Sequence, residues 1–111
     1  MTPAKPVSSL HGSIDLLILK ALALEPLHGV GLFKRIQQIT KQTIEISYGS
    51  LFPALHRMEE CGYLVSEWQN SENNRRAKYY SLTATGRKQL GVEQREWYRL
   101  VRAITAVLDS E

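Results

Sequence analysis

Three cations, Arg75, Arg76 and Lys78, crowd a short polar stretch with Asn73 and Asn74 beside them and only Glu72 opposing. Guanidinium and ammonium groups gathered this way suit a phosphate backbone, whose counterions they displace on binding. At a hairpin tip they can straddle that backbone or enter the adjacent minor groove. A second useful run is Ser47, Tyr48, Gly49 and Ser50, ahead of Leu51, Leu55 and Met58 at helical spacing. Small residues at a helix start allow close approach to a duplex, and the free N–H groups there can bind phosphate. His56 and Arg57 fall on the side opposite the apolar stripe, where a helix lying in a major groove carries its reading groups. Either run alone also fits a solvated turn or an ordinary capped helix. Side by side they favour a nucleic-acid surface.

Other chemistry finds little purchase. His11, His28 and His56 lack metal-ligand spacing, no acidic pair forms a recognisable site, and no phosphate-binding loop or G-x-S-x-G is present. Neither an enzyme nor a metal or other cofactor is expected. Cys61 is the only cysteine, which excludes an intrachain disulfide and a cysteine-based zinc site. It reads as a small half-buried residue on the back of a helix. With 111 residues, 43% of them hydrophobic, the chain supports one domain, and a net charge of +3 suits a polyanion where it is clustered. No signal peptide is evident. The apolar run Ile14 to Leu24, interrupted by Asp15 and Lys20, is too short to span a bilayer, so a cytoplasmic protein without membrane contact is expected.

The elements that must position these residues follow from periodicity. Residues 1–10, with Pro3, Pro6, Ser8 and Ser9, read as a flexible leader. A first helix is expected from Ser13 as N-cap to Glu25-Pro26, apolar nearly all round and therefore buried on more than one side. A second runs from about Gly29 to Thr40, with Leu32, Phe33, Ile36 and Ile39 on one face. Thr43 to Ile46 is either a short strand or an extended link. The third helix is capped by Ser47 or Ser50, with Pro53 near its first turn and Gly62 as its stop. Leu64–Gln69 and Ala77–Thr83 read as antiparallel strands around a polar tip. Alternation puts Tyr80 and Leu82 toward the core and Tyr79 toward the wing surface.

From Thr83 a long helix reaches about Leu108. Its stripe of Trp97, Leu100, Val101, Ile104 and Leu108, with Val107, comes after a core that can already close. No chain is left to cover that stripe, and the simplest partner is the same helix of a second copy. The expected fold is mainly α with a small β-hairpin: a winged helix-turn-helix over residues 11–83 and a C-terminal dimerisation helix over 84–111.

His28-Gly29, the run from Tyr48 to Leu64 and the run from Arg76 to Gly86 together closely resemble the PadR family of bacterial transcriptional regulators, over about residues 10 to 108. Val30-Gly31 stands where that family often has Tyr followed by an acidic residue, and Phe52 where Tyr is common. The resemblance implies a homodimeric winged helix-turn-helix, usually a repressor, of the short class with one dimerisation helix. Its DNA-binding residues would be Ser47, Tyr48, Gly49, Ser50, His56, Arg57, Asn73, Asn74, Arg75, Arg76 and Lys78, on a pseudo-palindromic operator. Some short-class relatives bind planar drugs, which makes Trp97 a residue to test for an aromatic effector, against a tryptophan that only packs. Trp68 reads as hairpin or core packing. The rival function is a protein-interaction or structural dimerisation module that binds no DNA.

Overall fold

Helix α1 spans Ala4–Leu24, starting well before the expected cap at Ser13. The structure, a computed structural model, describes the backbone from Ala4 and the side chains from Ser13, so residues 1–3 of the expected leader lie outside the described residues. Pro6 does not stop the helix because it falls in the first turn, where a backbone N–H has no intrahelical acceptor in any case. Ile14, Ile18, Leu19, Ala21 and Leu22 of α1 are buried, whereas Leu24 at its end is exposed.

Next comes a strand that the sequence pattern did not reveal: β1, Leu27–His28, pairs antiparallel with Tyr80 and Tyr79. Two residues are too few to show alternation. Helix α2, Gly29–Thr40, is capped by His28, whose Nδ1 accepts the Gly31 N–H at 2.8 Å. Leu32 and Ile36 are buried, but Ile39 is 61% exposed. It lies on the expected face in a last turn that has run past the core, and Lys41 then leaves the helix in the left-handed region. Thr43 to Ile46 forms no strand, and of this link only Ile46 is buried.

Helix α3, Tyr48–Glu60, is capped by Ser47, which places Pro53 in the second turn instead of the first. Leu51, Ala54, Leu55 and Met58 are buried. Each large apolar side chain removed from water here contributes about 1.5–3 kcal/mol before entropy is counted. Gly62 adopts φ +83°, and Tyr63 N–H reaches back to the Met58 carbonyl at 3.0 Å, closing the helix as expected. Cys61 is exposed, not half-buried.

The wing strands are β2, Leu64–Asn70, and β3, Arg76–Leu82, in a sheet ordered β1-β3-β2. Tyr80 is buried, Leu82 packs against the core, and Tyr79 lies on the other face with its ring 4.9 Å from that of His28. Helix α4, Ala84–Leu108, is held at its start by Thr83. That hydroxyl donates toward the carbonyls of Gly62 (2.7 Å) and Tyr63 (3.0 Å) and accepts the Gly86 N–H at 2.9 Å. A Cβ on Gly86 would lie 2.2 Å from the Tyr63 carbonyl oxygen, so only glycine lets α4 approach this turn. Further on, α4 leaves the core, and Leu108 is 76% exposed. Among the described residues no helix is long and apolar enough to cross a membrane.

Candidate nucleic-acid interface

The outer face of α3 and the wing border one groove of about 510 Å³. Phe52 and His56 line it from α3, Gly29, Val30, Gly31 and Lys34 from the start of α2, and Trp68, Asn73, Arg75, Arg76 and Lys78 from the wing. Lys34, Val30 and Phe52 are members that the sequence did not nominate. The His28-Gly29 pair was the available signal, because a helix start beside the wing must face the same space.

The wing tip is a tight polar turn. Ser71 N–H donates to the Arg75 carbonyl at 2.7 Å, and Asn74 holds φ +61°. Asparagine tolerates that conformation better than most residues. Asn73, Asn74, Arg75 and Arg76 are exposed, and among the described residues neither arginine has a carboxylate within ion-pair distance. Arg76 lies over the exposed Trp68 ring, 5.9 Å from its centroid, so Trp68 packs on the hairpin and not in the core. Lys78 is less available. Its Nζ sits 3.5 Å from Glu59 and 5.7 Å from the Tyr80 ring centroid.

Glu59 also accepts the Ser66 hydroxyl at 2.6 Å, which ties the end of α3 to β2. That hydrogen bond first, then the charge of Lys78, holds the Glu59 carboxyl below its usual range despite partial burial. Burial raises the Tyr80 phenol, with Lys78 acting the other way.

On α3 the reading residues divide. Tyr48, Gly49, Ser50 and His56 are exposed at or beyond the helix start. The Ser47 Oγ accepts the Ser50 N–H at 3.2 Å and lies the same distance from the Ser50 hydroxyl, so both serines are partly spent on the cap. Arg57 turns away. Both its terminal nitrogens reach Asp15 of α1, at 2.9 Å each, and the bond to Asp15 raises the guanidinium pKa further. Gly49 has a different logic from Gly86. A Cβ there would find its nearest neighbour, Ser47 Oγ, at 3.7 Å, an ordinary contact. Nothing inside the fold requires glycine at this position.

Trp97 lies away from this surface. It is 41% exposed, meets Tyr98 edge-on at 5.5 Å, and lines an apolar concavity of about 380 Å³ with Leu16, Leu17 and Ile44. Leu100, Ile104 and Leu108 are exposed along the same helix, and Val101 is half-buried. Among the described residues no three His, Cys, Asp or Glu side chains could hold a metal ion.

A helix presented beside a basic β-wing defines a winged helix-turn-helix of the transcription-regulator kind. Residues 18–92 match the Transcriptional regulator PadR-like family, and the chain belongs to that family. It is 34% identical over 94 residues to a transcriptional regulator of Mycobacterium tuberculosis, covering 85% of this chain and 84% of that one. A transcriptional regulator from Clostridium thermocellum superposes with a TM-score of 0.81 at 27% identity, over 89% of this chain and 96% of the other. A PadR-family regulator from Eggerthella lenta gives 0.74 at 28% identity, over 97% and 93%.

Proposed function

We propose that this PadR-like regulator is a cytoplasmic, homodimeric, sequence-specific repressor on a pseudo-palindromic operator. The observation that carries the proposal is the single groove in which the α3 face meets the free arginines of the wing. Each α3 enters a major groove through Tyr48, Gly49, Ser50 and His56, while Asn73, Asn74, Arg75 and Arg76 grip flanking backbone. The uncovered α4 stripe of Trp97, Leu100, Val101, Ile104 and Leu108 joins two copies, so that two reading heads engage half-sites about 34 Å apart. Repression follows from a dimer that occupies promoter DNA.

The test pairs sedimentation with duplex binding. The full chain is expected to be dimeric at micromolar concentration, and truncation after Val92 to give a monomer without tight operator binding. A monomeric full chain refutes the dimer. Failure to prefer any duplex, alongside tight binding to an acidic protein, selects the interaction-module alternative.

A second reading has its own observation, the apolar concavity beside Trp97. A planar aromatic compound stacked there quenches tryptophan fluorescence. It regulates only by favouring one spacing of the two heads. In a Trp68→Phe background the emission of Trp97 alone should be quenched, and in Trp97→Ala calorimetry should find binding of the compound lost, with sedimentation checking that the variant is still a dimer. Persistent binding to a dimeric Trp97→Ala protein rejects the site.

A further inference from the structure

The exposed face of α3 carries few groups that can read a base by hydrogen bonding. Arg57, its only long cation, forks onto Asp15. The Ser50 hydroxyl lies against Ser47, and Gly49 and Pro53 offer no polar side-chain atom. The Tyr48 hydroxyl and His56 remain as polar readers, and beside His56 stands Phe52, one helical turn earlier and 37% exposed.

Phe52 is not a loose ring. Its Cε1 lies where a Cβ on Gly29 would come within 2.5 Å, so the ring is seated against bare backbone at the start of α2. Tyr48 stacks on it at 5.8 Å with planes 25° apart, and Phe33 backs Tyr48 at 4.5 Å. Of the three rings, Phe52 at the end of the stack is the one that lines the groove. Lys34, Arg75 and Arg76 line the same groove, with Glu72 as its one carboxylate among the described residues, and the net positive charge suits a polyanion.

A phenyl ring donates and accepts no hydrogen bond. The apolar feature that the major-groove edge of a base pair offers is the 5-methyl group of thymine. We propose that Phe52 is a specificity-determining residue that reads one thymine methyl in each half-site. The assignment rests on the DNA-binding function proposed above and adds the base and the contact. Gly29 serves it by leaving room for the ring, and Tyr48 by fixing its tilt.

The experiment selects a preferred duplex from a randomised pool with the full chain. That duplex is then rebuilt with deoxyuridine for thymine, one position at a time, an exchange that deletes only the methyl group. At one thymine per half-site the exchange should weaken binding about fourfold, the value of burying one methyl-sized group. Exchange in both half-sites together should cost about fifteenfold. Phe52→Ala should bind the thymine and deoxyuridine duplexes alike at that position, and Phe52→Leu should keep part of the discrimination.

Equal binding of wild type to both duplexes at every position overturns the assignment. A Phe52→Ala protein that still discriminates overturns it as well. If Phe52→Ala fails to fold, the wild-type deoxyuridine series and Phe52→Leu carry the test. Failure of wild type to select any duplex overturns the DNA-binding function and the Phe52 assignment with it, so the two failures are distinguishable.

Discussion

Replacing Arg75 and Arg76 together by serine tests the wing electrostatically, because the structure separates these cations from their neighbour. Both arginines are exposed, and among the described residues no carboxylate pairs with them, whereas Lys78 already faces Glu59 at 3.5 Å. Each phosphate neutralised contributes about 0.9 to the slope of log affinity against log salt. Two arginines on each of two protomers make four contacts, so the double variant should flatten the slope by about 3.6. Between 50 and 200 mM salt, wild type should therefore lose roughly a hundredfold more affinity than the variant does. Adding Lys78→Ser should flatten the slope by less than the full increment, since its charge is partly satisfied within the fold. Fluorescence anisotropy across a salt series, on the selected duplex and on a scrambled one, measures all of this. The loss should be nearly equal on both duplexes, because backbone contacts carry no sequence. An unchanged slope refutes the wing as the phosphate contact, and a slope that changes only on the selected duplex refutes its sequence-independence.

Gly49→Ala should leave thermal stability unchanged or raise it by up to about 1 kcal/mol, yet weaken duplex binding about tenfold if an N-terminal N–H of α3 meets a phosphate. Undiminished binding would show that no backbone approaches there. Gly86→Ala should destabilise by about 1–3 kcal/mol, because its Cβ would sit 2.2 Å from the Tyr63 carbonyl oxygen; a melting temperature equal to wild type would contradict that contact. Glu59 is depressed below its usual value of 4.5 by Ser66 and then Lys78, so its contribution is present above that pH and fades as pH falls through the lower folded value. Glu59→Gln should accordingly show a flatter acid limb in stability against pH, and identical limbs would deny the linkage.

Much of the scaffold was legible because it is written in short-range patterns. Leu51, Leu55 and Met58 recur at helical spacing, Gly62 marks a stop, and Tyr80 and Leu82 alternate with Tyr79, so α3 and the wing could be placed before the chain was folded. The contacts that the pattern could not show have partners distant in sequence. Arg57 has the helix face expected for DNA and also pairs with Asp15, 42 residues earlier. Phe52 is held by Gly29, and the two-residue β1 exists only because β3 returns beside it. Ile39 fits the apolar period of α2, yet the core ends before reaching it. Ser13 has the chemistry of a cap, but nothing at that point obliges an apolar helix to begin there. Local pattern names elements well and says little about which surface each side chain finally meets.

The bonds around α3 are better understood as positioning than as sources of stability. Exposed ion pairs contribute only about 0–1 kcal/mol each, so neither the Asp15–Arg57 fork nor the Glu59–Lys78 pair accounts for much of the folding free energy. What they share is location. One ties α3 to α1, the other, with Ser66, ties it to the wing, and the Tyr63 backbone that closes α3 is also the seat of the Thr83 cap of α4. A helix clipped on three sides is coupled in any tilt to α1, the wing and α4. Those two helices border the concavity at Trp97, and α4 carries the stripe proposed to join a second copy. In the proposed dimer, whatever sets the angle between two α4 helices also sets the distance between two α3 helices. A regulator need not deform its reading head to lose its operator under that arrangement. It needs only to repack the joint between copies, while Gly49, Phe52 and the wing keep their geometry.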